Sequence, residues 1–244
     1  MDKNTSSLNS DFIKSPEYLK DFFSGLALSY EKFNRIASLF LDGYWRDGVA
    51  NFARPGMSVL DLCAGTGDLA FKIAKKMRGD GKIVGIDFSQ EMLSLAEKKK
   101  EQLNLNSRID FQLSRAEDLP FDSESFDLVV SAFAMRNVRA NFEKVLKEIF
   151  RVLKPGGQTV ILEFSRPKFF VLRFLHSLYL KTVIPFDGKL IFGSKWSSDY
   201  LTESVLHFFS PEVFCCRLSQ AGFSKVRYFP LNFGIVVIHR ARKP

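Results

Sequence analysis

"VLDLCAGTGDLA", residues 59–70, passes from an apolar run to an acid and then into a loop of small residues. So short an apolar run suits a strand buried on both faces better than a core helix. Gly65 and Gly67 let backbone come close to a ligand, and "DLAFKIAKKM" (68–77) then spaces Leu69, Ile73 and Met77 along one face of a helix. Strand, small-residue loop and helix make the opening unit of a wound α/β sheet. In such sheets ligands settle at the carboxyl ends of the strands, beside the first one.

The same rhythm continues on the C-terminal side. "KIVGIDF" (82–88) reads as a second strand, and "SQEMLSLAEKKKEQL" (89–103) as a helix that Ser89 caps. "RIDFQLS" (108–114), "FDLVVSAFA" (126–134), the helix "NFEKVLKEIFRVL" (141–153), a turn at "KPGG" (154–157) and the strand "QTVILEF" (158–164) follow. Near the end, "SPEVFCCRLSQAGF" (210–223) predicts a capped helix with Gly222 past its end, and 224–241 predicts two strands joined tightly around Pro230–Asn232. The expected fold is a doubly wound α/β sheet, mostly parallel and seven-stranded, with an antiparallel C-terminal hairpin strand and helical lid elements. Residues 1–244 are expected to form a single domain, with an N-terminal helical lid over 11–53 and a basic, aromatic insertion carrying helices over 165–209.

At 244 residues and 46% apolar content the chain can bury a full core. The polar start "MDKNTSSLNSDFIK" does not resemble a cleavable leader, and no apolar run reaches spanning length, so a cytoplasmic protein is expected. Cys63, Cys215 and Cys216 have no metal-ligand spacing with His176, His207 or His239, and the adjacent pair bonds to itself only with strain; neither a metal site nor a disulfide framework is expected. The net charge of +8 favours anionic surroundings without choosing among them.

Three features of the loop select its ligand. "AGTGDL" lacks the third glycine of a dinucleotide fingerprint, and no Lys-Ser or Lys-Thr follows for a phosphate loop. Asp61 and Asp68 flank it with negative charge, which repels phosphate and suits a cation such as a sulfonium or amine. Asp87, at the end of the second strand about twenty residues on, can accept both hydroxyls of a ribose. An adenosine without phosphates that carries an amino acid and a positive sulfur satisfies all three: S-adenosylmethionine.

Beyond that loop, "FFSGLALSYEKFNRIASLFLDGYWR" (22–46), "AEDLPFDSESFD" (116–127), "FAMRNV" (133–138), "RVLKPGG" (151–157), "LEFSRP" (162–167), "YLTESV" (200–205) and "GIVVIHR" (234–240) extend over nearly the whole chain. Together they resemble the class I methyltransferases of ubiquinone and menaquinone biosynthesis, the demethylmenaquinone type in particular. The resemblance implies that Thr66, Asp87 and the pair Arg115-Ala116 contact S-adenosylmethionine, alongside Asp61, Gly65 and Gly67 of the loop. Arg115 stands where the family usually has Asn or Asp, which would move the adenine contact onto main chain or Asp118.

The implied acceptor is a prenylated hydroquinone methylated at ring carbon, demethylmenaquinol first. Such a carbon becomes nucleophilic when a neighbouring hydroxyl ionises, and phenols titrate near about 10, so the site must stabilise the phenolate. Arg136, after the fourth strand, is the expected cation and Asn137 the group orienting the hydroxyl or a water. The competing reading of Arg136 is a structural pair with an acid such as Asp127. Tyr30 and Asn34, in a lid with Trp45, and His176 and Tyr179, at i, i+3 in the insertion, are expected to face the acceptor. "PKFFVLRFLHSLYLKTVIPF" (167–186) with Lys168, Arg173 and Lys181 suits a lipid interface, so peripheral contact with the inner face of a membrane is expected. A homodimer is compatible with the sequence. Another lipid-like acceptor, such as a methoxy-polyprenyl-benzoquinol, a sterol or a phospholipid amine, is the alternative. A nucleic-acid substrate is not expected, because "SAFAMRN" (131–137) stands where an Asn-Pro-Pro-Tyr motif would be.

Overall fold

The computed structural model describes residues 16–105, 108–193, 196 and 198–244. Two helices, α1 (Pro16–Ala37) and α2 (Asp42–Ala50), precede β1 (Ser58–Leu62). Then follow α3 (Asp68–Met77), β2 (Lys82–Asp87), α4 (Gln90–Gln102), β3 (Ile109–Leu113), β4 (Phe126–Ala132), α5 (Phe142–Val152) and β5 (Leu153–Phe164). The insertion supplies α6 (Phe170–Phe192) and α7 (Ser198–Leu206), and the chain closes with α8 (Pro211–Gln220), β6 (Ser224–Leu231) and β7 (Val236–Arg242). The leader reading of residues 1–14 and the first residues of the expected lid, 11–15, lie outside the described residues.

The strands lie in the order β3-β2-β1-β4-β5-β7-β6. β1 pairs in parallel with both β2 and β4, β5 continues in parallel beside β4, and β7 runs antiparallel between β5 and β6. The winding direction therefore reverses at β1, where the crevice at the strand ends must open. Strand residues alternate between two layers. Leu60, Leu62, Val129 and Ile161 pack on α5 and α8, while Val59, Leu128, Val130 and Val160 pack on α2 and α3. Burial on both faces explains why the strands read as near-continuous apolar runs.

Local chemistry sets the helix ends. Ser89 opens α4 by accepting the Met92 N–H at 3.2 Å, and Ser210 does the same for Val213 at the start of α8. α5 buries Phe142, Val145, Leu146, Ile149 and Val152, an i, i+3, i+4 stripe worth about 1.5–3 kcal/mol per side chain. One expectation is corrected. "KPGG" is no free turn but the first part of β5, irregular against β4 between Phe126 and Leu128. Its backbone is held by the chain's C-terminal end, where Gly156 N–H donates to Lys243 O and Lys243 N–H to Gly157 O.

Candidate active site

At the carboxyl ends of β1, β2 and β4 lies a cavity of about 530 Å³, within the usual range for a small-molecule site. Its floor is the quoted loop. Gly67 has φ +85, and a Cβ there would lie 2.8 Å from the rings of Phe71 and Phe111, so both conformation and space call for glycine. The Asp87 carboxylate accepts the Gly65 N–H and the Ser89 N–H, each at 2.9 Å, and so fixes the loop to the tip of β2. Burial pushes Asp87 up to about 6 against the pull of those amides.

Asp61 is more strained electrostatically. Burial pushes it up to about 8, opposed chiefly by the Arg46 guanidinium, and its Oδ2 is buried without a hydrogen-bond partner. A carboxylate in that state favours a cation, which would restore its charge. The acids lining the cavity, Glu17, Asp61, Asp68, Asp87 and Glu117, outnumber Arg46 and Arg115, which is the wrong balance for phosphates. These residues fit S-adenosylmethionine: Asp87 with the Gly65–Gly67 loop for the sugar, Asp61 for the positive end. Thr66 is buried beside them. Ala116 lines the cavity too, whereas the Arg115 side chain is half exposed and its Nε donates to Glu117 Oε1 at 2.9 Å. Of the acids near Arg115 it is Glu117, and not Asp118, that faces the cavity.

A second cavity, of about 360 Å³, is walled by α1, α6, α7 and the segment after β4. Its lining is mostly apolar, with Asn34, Arg136, His176 and Tyr179 among the exceptions. Tyr30 lines both cavities and Asn137 only the first. His176 is buried with an unpartnered Nδ1, and burial holds its ring below the usual range for histidine. Tyr179 donates to Ala37 O at 3.2 Å, and burial raises its phenol.

Arg136 has an acid partner, as its competing reading required, but that partner is Glu163. Their contact is 3.0 Å, with Glu163 fully buried on β5. Asp127 sits at the opposite end of β4, bound to Ser58 N–H and Lys154. Arg136 Nη1 also donates to Phe133 O, while its Nε is buried without a partner, beside the cavity. Trp45 proves to be an anchor: it is buried and donates to Asn232 Oδ1 at 2.6 Å, tying α2 to the hairpin connection.

Two residues escaped the sequence reading. Tyr200 on α7 donates to Asn137 Oδ1 at 2.7 Å, and burial raises its phenol. Nothing in the sequence places Tyr200 beside residue 137. Arg46 lines both cavities, and its signal was readable: an Asp and an Arg at i, i+4 in a short helix with Trp45.

Residues 12–243 match the model of the ubiE/COQ5 methyltransferase family. The chain is 38% identical over 237 residues to the ubiquinone/menaquinone biosynthesis C-methyltransferase UbiE of Rickettsia prowazekii, covering 96% of this chain and 95% of that protein. It is 37% identical over 230 residues to the protein of the same name from Geotalea daltonii, covering 93% and 97%. Among solved structures, SAM-dependent methyltransferases from Aquifex aeolicus (TM-score 0.64, 19% identity, 88% of this chain and 98% of that one) and Thermotoga maritima (TM-score 0.64, 20% identity, 93% and 100%) share the fold. With a cation-seeking cavity at the switch point of this sheet and a family match over nearly its whole length, the chain belongs to the ubiE/COQ5 methyltransferase family and is an S-adenosylmethionine-dependent C-methyltransferase.

Proposed function

We propose that the acceptor is a prenylated hydroquinone, demethylmenaquinol first, and that the second cavity receives its ring and the start of its tail. The observation that carries this reading is the pairing of the two cavities. The strand-end cavity suits a cationic methyl donor, and a mostly apolar one with a few polar groups shares a wall with it. The relatives' names point to the same class of acceptor.

When bound, S-adenosylmethionine supplies a methyl group on positively charged sulfur, and the bonding pair stays with sulfur as the methyl departs. The ring carbon would form the new C–C bond with its own π pair and then give up its proton to solvent, which restores the aromatic ring. The chain's part is to make the carbon electron-rich and to aim it. Arg136 Nε, buried without a partner, and Tyr30, which lines both cavities, would meet a ring oxygen, and the Asn137–Tyr200 pair would steady the passage between the sites. α1 acts as the lid that excludes water, while α2 is anchored in the core beneath it.

α6 turns one face to the cavity and leaves Phe170, Phe174, Leu178, Phe186 and Leu190 exposed, beside Arg173, Lys181 and Lys189. That composition supports peripheral contact with an anionic membrane. No helix among the described residues is long and apolar enough to cross one. Purified protein assayed under reducing conditions with demethylmenaquinol, a methoxy-polyprenyl-benzoquinol and phosphatidylethanolamine, with products identified by mass spectrometry, tests the reading. Methylation of demethylmenaquinol is expected. Turnover of the phospholipid alone overturns it.

A further inference from the structure

Among the described residues, four side chains line both cavities: Phe23, Tyr30, Arg46 and Phe133. A methyl group passing from one site to the other crosses this wall, so the reacting ring carbon must rest against it. The oxygen whose ionisation activates that carbon is bonded to the adjacent ring atom, and it too must lie close to the wall. Arg46 is the only charged member of the four. Arg136, by contrast, lines the acceptor cavity alone.

The guanidinium is fixed for such a role. Arg46 is buried in α2, and its Nη1 donates to Asp42 Oδ2 at 3.1 Å and to Asp42 O at 3.4 Å. The Asp42 N–H is in turn held by Ser38 Oγ at 3.2 Å. Its Cζ lies 5.2 Å from the Phe133 ring centroid, over the residue whose carbonyl receives Arg136. Nε and Nη2 make no hydrogen bond among the described residues and remain for a ligand. Asp42 on its own helix pairs with Arg46, and Arg46 in turn opposes the rise of Asp61 at the end of β1.

We propose that Arg46 is a second acceptor-side catalytic residue, whose guanidinium holds the ionised ring oxygen next to the carbon that takes the methyl. The inference rests on the hydroquinone reading. A planar fork with one free edge, Nε and Nη2, suits an oxygen anion, and the attraction strengthens in a site from which water is excluded. Arg46 also faces Asp61, so one cation serves the acid of the donor cavity and the anion of the acceptor cavity.

The test is a spectrophotometric titration of bound 2-naphthol, whose ionised form absorbs at longer wavelength. On the unmodified protein its ionisation should move at least tenfold in favour of the naphtholate relative to water. Arg46→Met should lose that shift and Arg46→Lys should keep part of it. Because Arg46→Met strands a buried carboxylate, the double variant Asp42→Asn/Arg46→Met, which removes both charges, is titrated in parallel. Naphthol that binds every variant with the same shift overturns the role of Arg46 and leaves the hydroquinone reading standing. Failure of 2-naphthol to bind the unmodified protein overturns that reading and this inference with it.

Discussion

The two cavities share a wall and are built in opposite ways. The strand-end cavity is floored by the loops that directly follow β1, β2, β3 and β4, and most of its charged side chains are acids. The helical cavity is assembled from α1, α6 and α7, which meet through packing and a few bonds such as Tyr179 to Ala37 O, and its Arg136 is locked to a partner distant in sequence, Glu163. Asp87 to Gly65 spans 22 positions and Tyr200 to Asn137 spans 63. The first lies where such sheets place their ligands; the second is formed by α6 and α7 together with α1. On the proposed reading, donor recognition should rest mainly on the strand-end loops, with α1 and α2 adding Tyr30 and Arg46, whereas acceptor recognition should depend on how the helices pack.

The sharpest way to break this contrast is Arg136→Ala. It leaves Glu163 buried and unpaired, and we expect it to destabilise the protein by about 3–5 kcal/mol, read as a fall in the thermal or urea midpoint. Arg136→Met with Glu163→Gln should recover most of that stability without recovering turnover. Stability unchanged in Arg136→Ala would show that the pair is not structural. On the donor side, Asp87→Ala should weaken S-adenosylmethionine binding by roughly 1.5–3 kcal/mol, the worth of hydrogen bonds to a charged group, with a smaller effect on the fold. Calorimetry showing equal affinity would mean that the sugar lies elsewhere.

The third prediction concerns pH. Burial pushes Asp61 up to about 8 in the free protein, so its ionised fraction grows as pH rises towards that value. A cationic ligand favours the charged form. Affinity for S-adenosylmethionine should therefore rise as pH increases from 6.5 towards 8 and level off above it, by at most tenfold per unit. Asp61→Asn should flatten the difference, and an identical profile in the variant would remove Asp61 from the positive end of the ligand. The smallest effect expected is that of Tyr200→Phe, about 1 kcal/mol from the lost bond to Asn137. It should appear in turnover more than in donor affinity. A larger effect on donor affinity would blur the division between the two sites.

What was legible in the residues follows the same division. β1, its loop, Asp87 and the cap at Ser89 lie within one short stretch, so spacing alone placed them. The partner of Arg136 was misassigned because strand order is invisible from one strand. Asp127 and Arg136 are near in sequence, but an extended β4 separates them, whereas β5 brings Glu163 alongside through the pairing of Ala132 with Leu162. A signal was there: Glu163 is an acid inside the apolar run from Val160 to Phe164, and a buried acid needs a partner. "KPGG" was misread because its hydrogen bonds go to residues 242–243, about ninety positions away. Tyr200 and the two-sided position of Arg46 depend on how helices pack, which periodicity does not encode.

Lys99 links these parts in another way. Its ammonium on α4 meets Glu31 of α1, Asp68 at the start of α3 and the Thr66 carbonyl in the glycine loop. Any lift of α1 away from the sheet must break a contact made by the same cation that braces the floor of the donor cavity. Entrance and floor are electrically coupled, and because Lys99 is only partly shielded, rising ionic strength loosens both at once.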